Sequence, residues 1–448
     1  MNIDLNRRQL LGALGAAGLG AGLVGRANAQ HEMHDMNMGS PAGDDARIPA
    51  PSAPASRSYR PVQTLNGWTL PYRLRDGVKE FHLVAEQVEH EFAPGCVAKC
   101  WGYNGSTPGP TIEAVEGDRV RIYVTNRLPE ATSVHWHGIL LPSGMDGVAG
   151  LNQPAIAPDE TFVYEFTLRQ HGTQMYHPHA DEMTQMALGM MGMFVIHPRD
   201  GEAVAVDRDY AILLHNWALH PGTSRPDPSV MTDFDLWTFN GKVFPATAPL
   251  LAASGERVRI RLGNLSMWNH PIHLHGHRYW VTGSDGGRWP RALWRPEVTE
   301  IVGVGQARDI EFIAAPGDWA LHCHMSHHTM NAMGHGIASP IGVDTRQVAD
   351  EIRKLLPGYA AMGGNGMSEH SAHLTMGMMA GPANTLPMMS GQGPHGSVEM
   401  GGMFTVLKVR DALVGDRDPG WYQAAHGEIA RRVSTDPEFG TPPRRHKT

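Results

Sequence analysis

The chain has 448 residues, 18% of them charged, with 52 Gly, 33 Pro and a formal net charge of −8 when histidine is counted neutral. That length accommodates two or three domains, and turn formers in this abundance favour all-β architecture over long helices. No basic stripe interleaved with aromatics occurs, so the sequence offers no electrostatic basis for a nucleic-acid partner.

In chain order, Asn6-Arg7-Arg8-Gln9-Leu10-Leu11 precedes a short Gly/Ala-rich apolar stretch that ends at Ala27-Asn28-Ala29. This pattern predicts a twin-arginine export signal over 1–29, cleaved before Gln30, and a periplasmic destination. Residues 30–60 open on His31-Glu32-Met33-His34-Asp35-Met36 and continue rich in Pro, Ser and Ala, the composition of a linker. From Val78 onward, short apolar or alternating runs are separated by Gly, Pro and Asn turns. They run from Phe81 to Ala85, Val97 to Tyr103, Val120 to Asn126, Phe162 to Leu168 and Gly192 to His197. A second series begins near Tyr210, with runs from Val258 to Asn264, Tyr279 to Thr282, Glu300 to Val304, Asp309 to Ile313 and Trp319 to His322. Such spacing predicts two β-sandwich domains, at 61–202 and 203–412.

The two series read as copies. Gly117-Asp118-Arg119-Val120 opens a strand ending in Asn126, and Gly255-Glu256-Arg257-Val258 opens one ending in Asn264. His177-Pro178-His179 is followed closely by Gly192-Met193-Phe194-Val195, whereas His322-Cys323-His324 is separated from Gly402-Met403-Phe404-Thr405 by a Met-, Gly- and His-containing stretch. That stretch, about 336–393, is expected to be an insertion before the last strand of domain 2. Residues 413–448 are a tail, with a short helix expected within Trp421 to Val433.

Three cysteines cannot build a disulfide framework, and Cys96 and Cys100, four apart in a strand, share a face but lie too far apart for easy bridging. The surplus lies instead in 26 His and 25 Met, borderline and soft ligands that suit copper. Four clusters concentrate it: His135-Trp136-His137-Gly138, His177-Pro178-His179, His270-Pro271-Ile272-His273-Leu274-His275-Gly276-His277, and His322-Cys323-His324 followed by His328 and Met333. In a strand, residues two apart face one side, so each His-X-His pair aims two imidazoles at one place, while Cys323 points away from its flanking histidines. A thiolate with two imidazoles and a weak thioether is the ligand set of a blue copper centre, and Cys323, His270, His328 and Met333 supply it.

From about Pro61 to Val409 the chain resembles the multicopper oxidases, the family of laccases and cuprous oxidases, in its two-domain form. The resemblance implies cupredoxin-like Greek-key domains and four copper ions. His135 and His273 would hold a type 2 ion, His137, His177, His179, His275, His322 and His324 a type 3 pair, and Cys323, His270 and His328 the type 1 ion, with Met333 axial. Asp146, in Met145-Asp146-Gly147, matches the acid that helps deliver protons to reduced oxygen. Dioxygen and a small reducing substrate, cuprous ion or a phenol, would be the partners. A homotrimer would form, with domain 1 of one copy meeting domain 2 of the next.

Two features depart from relatives. Pro178 stands where domain 1 would need a cysteine, leaving one type 1 site per chain, and Thr329 replaces the carboxylate that some members carry beside the last type 1 histidine, so Asp181 and Glu182 become proton-route candidates. His328 is expected as the exposed edge of the type 1 site, with Met400 as the fallback for Met333. Met367, Met376, Met378, Met379, Met388 and Met389 of the insertion are candidates to bind Cu(I) above it. Two competing readings are a non-catalytic copper-binding or tolerance protein and a copper nitrite reductase. The first would not require Cys323 between two histidines, and the second needs a cysteine at Pro178.

Overall fold

The computed structural model describes residues 59–331 apart from Ala203 and Pro221, residues 391–430 apart from Glu399 and His426, and a few positions between these stretches. The signal segment, the linker up to Ser58, Met333, the named methionines of the insertion and the tail beyond Ala430 lie outside the described residues.

Two β-sandwiches follow one another. In the first, β1 (Val78–Ala93) pairs antiparallel with β2 (Cys96–Tyr103) and parallel with β4 (Arg119–Asn126), which pairs with β5 (Thr161–Thr167). The opposing sheet is β3 (Ile112–Val115), β7 (Gly192–His197) and β6 (Gly172–Tyr176), in that spatial order. Between the sheets, Phe81, Leu83, Val120, Ile122, Trp136, Tyr164, Tyr176 and Phe194 form a buried core. The period-two alternation of β4, with Val120, Ile122 and Val124 buried, is what drives these sheets together.

The second sandwich repeats the scheme. β8 (Arg208–Trp217) runs parallel to β11 (Arg257–Asn264), which pairs with β15 (Ala307–Ile313). β10 (Leu250–Ala253) runs parallel to β17 (Phe404–Arg410), which pairs antiparallel with β16 (Gly317–Cys323), and β16 pairs in turn with β12 (His270–Leu274). Strands β16 and β17 are therefore neighbours although 80 residues separate them.

The sequence repeat has a hydrogen-bonding cause. Asn126 donates from Nδ2 to the Glu130 and Ile156 carbonyls and accepts from the Leu128 amide, and Asn264 does the same with Trp268, Val302 and Ser266. Each asparagine satisfies buried backbone groups where a strand gives way to the histidine-bearing loop. The sandwiches meet at a buried polar cluster. Arg259 and Arg261 of the second sandwich share the carboxylate of Asp209, and Thr173 of β6 accepts from Arg261 and donates 2.6 Å to Asp309 of β15.

Three departures from the sequence reading stand out. Ile112–Val115 and Gly172–Tyr176 are strands not singled out from the sequence, both short and almost wholly buried, so neither shows alternation. A helix, α1 (Glu182–Ala187), follows His179, held by buried Gln185, which bonds Thr132 and the Ala131 carbonyl. The described part of Trp421–Val433 is not helical. Pro419-Gly420 breaks the chain there, and the Tyr422 amide donates instead to Asp318.

Candidate copper sites

The second sandwich holds a buried cluster of His270, Cys323 and His328, all 0% exposed, whose ligand atoms lie within 4.8 Å of one another. Their positions follow from the strands. Register sets Cys323 of β16 opposite Ile272 of β12, both turned into the core, and His270 lies two residues earlier on that same face of β12. His328 arrives on the 3₁₀ turn Ser326–Thr329.

Each imidazole presents Nδ1 to sulfur: Cys323 Sγ is 3.7 Å from Nδ1 of His270 and 3.3 Å from Nδ1 of His328. His270 is oriented by Ser266, whose Oγ is 2.7 Å from its Nε2 and which itself donates to Asn264, so the His270 Nε2–H donates to the serine. This leaves Nδ1 as the free lone pair. Burial lowers the pKa of His270 to about 3 and of His328 to about 2, keeping both neutral, and pushes the Cys323 thiol up to about 12. One soft sulfur and two neutral borderline nitrogens, converging in a buried core with no carboxylate in the cluster among the described residues, form a donor set that fits copper.

His328 is not the exposed edge expected from the sequence, because Trp237 lies face to face on its ring and His327 packs against it. Met400 packs with Phe244 and Phe404 rather than with the Cys323 core, which contains the fully buried Met403 instead. Cys96 and Cys100 are buried and unbridged.

The remaining eight histidines form two separate groups of four. In the first sandwich, Nδ1 of His137 lies 3.3 Å from Nε2 of His177, and His135 is within ring contact of both and of His179. In the second, Nε2 of His275 lies 3.0 Å from Nε2 of His322, with His273 against both and His324. Every histidine-to-histidine ring contact among these eight stays within its own group.

Backbone carbonyls fix the tautomers. His177 Nδ1–H donates to Pro178, His322 Nδ1–H to Cys323 and His273 Nδ1–H to Val298, so each turns a bare Nε2 outward. His135 Nδ1–H donates 2.9 Å to the Asp146 carbonyl, and the Asp146 carboxylate lies 3.5 Å from the same nitrogen. Gly147 makes this possible: at φ +86°, a Cβ there would strike the Val134 carbonyl. Gly276 follows His275 for the same reason, since a Cβ would meet the Trp319 ring.

Glu182, one of the acids considered for proton transfer, lies 3.5 Å from Nδ1 of His177 and 3.6 Å from Nε2 of His179. Asp181 instead accepts from Thr184. Thr329 is buried and donates to the Ser326 carbonyl. His277, the last histidine of the third cluster, is spent on structure: Nδ1–H donates to His275, and Nε2 accepts from the Ala315 amide.

Comparison with known proteins agrees with this chemistry. Sequence profiles described as multicopper oxidase match residues 85–201 and 220–342. A copper resistance protein A from Escherichia coli is 46% identical over 114 residues, 25% of this chain and 18% of that protein; the chain thus matches less than a fifth of that relative's length. Laccase-2 of Botryotinia fuckeliana is 33% identical over 268 residues, 52% of this chain and 44% of the laccase. The blue copper oxidase of Nitrosomonas europaea superposes with a TM-score of 0.54 at 25% identity, covering 74% of this chain and 85% of that one. Since the profiles together span more than half of the residues and meet the chain where its histidine clusters lie, the chain belongs to the multicopper oxidase family.

Proposed function

We propose that the protein is a multicopper oxidase that removes single electrons from a small reducing substrate and reduces dioxygen to water. The observation that carries this reading is the buried convergence of Cys323 Sγ with the Nδ1 atoms of His270 and His328. Copper held there would supply a one-electron acceptor, and three further copper ions held by the eight other histidines would supply the site of dioxygen reduction.

The chain's own residues define the route between them. Cys323 would hold the type 1 ion on one face of β16, and its carbonyl accepts from His322 on the other face at 2.8 Å. Sulfur, backbone and imidazole thus link the two sites within adjacent residues. Met333 is proposed to add a thioether to that ligand set. Asp146 orients His135 and holds a proton-accepting carboxylate beside it, and Glu182 stands in the same relation to His177 and His179.

The separation of the eight histidines supports a homotrimer. The facing pairs His137/His177 and His275/His322 each offer two nitrogens to a type 3 ion, one short of a three-imidazole set, which His324 and His179 from the opposite sandwich would complete. His135 and His273 would likewise share the type 2 ion across that interface. His275 and His324 are exposed, as residues awaiting another surface would be. Exposed apolar residues agree, since Val298, whose carbonyl accepts from His273, is exposed, as are Leu140, three residues beyond His137, and Met183, next to Glu182.

Cuprous ion is the favoured substrate, on the likeness to copper resistance protein A and the Met-rich insertion, with phenols as the alternative. Domain limits of 61–202 and 203–412 and twin-arginine export to the periplasm complete the proposal. The test is oxygen uptake by the copper-loaded protein with cuprous ion and a simple phenol supplied separately, alongside Cys323→Ser. Loss of both blue absorbance and uptake in the variant is expected. Retention of both overturns the type 1 assignment.

A further inference from the structure

Whatever reduces the type 1 site must approach it from outside, yet none of its three described ligands is exposed. His328 is 0% exposed and ringed by aromatic groups: Trp237 is stacked at 3.6 Å, with His327 at 4.2 Å, His270 at 4.9 Å and Trp268 at 6.1 Å between ring centroids. Its Nε2 is buried and has no hydrogen-bond partner among the described residues, so the edge at which electrons were expected to enter does not face solvent. His327, next in the same 3₁₀ turn, is half-buried and stands edge-on to both Trp237 and Trp268, at 5.8 and 6.0 Å. Consecutive residues of a 3₁₀ turn point about 120° apart, which is how one histidine faces the core and its neighbour the surface.

We propose that the reducing substrate gives up its electron at His327, between Trp237 and Trp268, and that His327 is the donor-contacting residue in place of His328. The proposal rests on the oxidase reading above. A borderline-soft imidazole nitrogen flanked by two indoles suits a small cationic donor such as cuprous ion, through ligation and cation–π attraction, and also admits the edge of a small phenol. In each step a donor loses one electron, cuprous ion becoming cupric, and the copper held by Cys323 gains it. Four such steps with four protons convert one dioxygen to two waters.

The experiment is anaerobic stopped-flow bleaching of the blue band in the copper-loaded protein, with cuprous ion and hydroquinone as separate donors, in wild type, His327→Ala and His327→Phe. The phenylalanine keeps a ring against both tryptophans without a nitrogen, so the site is preserved even if alanine disturbs it. Expected are an unchanged blue band and electron paramagnetic resonance spectrum in His327→Phe and bleaching slowed about tenfold with both donors, the loss of roughly 1.4 kcal/mol of transition-state contact. An intact band with wild-type bleaching rates overturns the proposal. A wild-type protein that holds copper yet shows no blue band or oxygen uptake overturns the oxidase reading itself, before any variant is compared.

Discussion

Trp237 lies on the face of His328 with ring centroids 3.6 Å apart and planes 19° from parallel, and it is itself 3% exposed. Its indole belongs to the core that contains Cys323, so the aromatic ring both supports the second sandwich and seals the candidate copper site from water. Trp237→Ala should lower stability by about 3–5 kcal/mol, the usual cost of the cavity left by a buried aromatic. Trp237→Phe, which retains a ring against His328, should cost markedly less. Urea unfolding of the metal-free proteins measures both, and equal losses would show that stacking on His328 contributes nothing.

Ser266 governs the opposite candidate ligand, His270. Its hydroxyl accepts the Nε2–H of His270 and so holds Nδ1 toward sulfur. Ser266→Ala should leave the fold intact but weaken copper retention at the Cys323 site by roughly 10–100-fold, the usual effect of losing a hydrogen bond that orients a metal-bound histidine. Titrating the blue band against a copper chelator reads this directly. Ser266→Thr, which keeps the hydroxyl, should restore it.

The buried histidines dictate the sign of the pH dependence. Burial lowers His90 and His215 to about 4, while His270, His322 and His328 fall further or equally, to about 3, 4 and 2. Above pH 6.5 each is neutral whether folded or unfolded and contributes no slope. As pH falls from 6.5 toward 4, the unfolded chain takes up protons that the folded chain refuses, so stability declines. Each imidazole contributes up to about 1.4 kcal/mol per pH unit in that window. His90 donates to the Gly241 carbonyl, and none of the candidate copper histidines contributes to its shift, so His90→Asn should flatten the slope without touching copper. Unfolding free energies at pH 7, 6 and 5 check this; identical slopes would refute it.

Much of this architecture is legible in the sequence because the chain repeats itself. Asn126 and Asn264 end matching strands for one structural reason, and His-X-His in a strand projects two rings to one side whatever surrounds it. Cys323 between His322 and His324 reveals two faces of one strand in the same way. Less legible is anything decided by packing between distant segments. Trp237 reaches His328 only because β9 (Leu236–Phe239) pairs with β8 and brings its indole over the 3₁₀ turn, a contact between residues 91 positions apart. The same limit leaves Asp181 and Glu182 equal candidates in the sequence, because the place of Glu182 beside His177 depends on a six-residue helix too short to show periodicity.

Asp146 offers the sharpest separation of electron arrival from proton delivery. Its carbonyl anchors His135 at 2.9 Å, and its carboxylate stands 3.5 Å from the same Nδ1. A substitution that removes the charge but keeps the backbone should therefore preserve histidine orientation. In Asp146→Asn the blue band and its anaerobic bleaching should match wild type, because the Cys323 cluster lies in the other sandwich. Steady-state oxygen uptake should fall by roughly 10²-fold, the lower end of what a positioned acid–base group contributes. During turnover the variant's blue band should then stay bleached, since electrons continue to arrive while dioxygen reduction waits for protons. A variant that slows bleaching itself would place Asp146 on the electron path, and one with full uptake would leave Glu182, beside His177 and His179, as the proton donor to test.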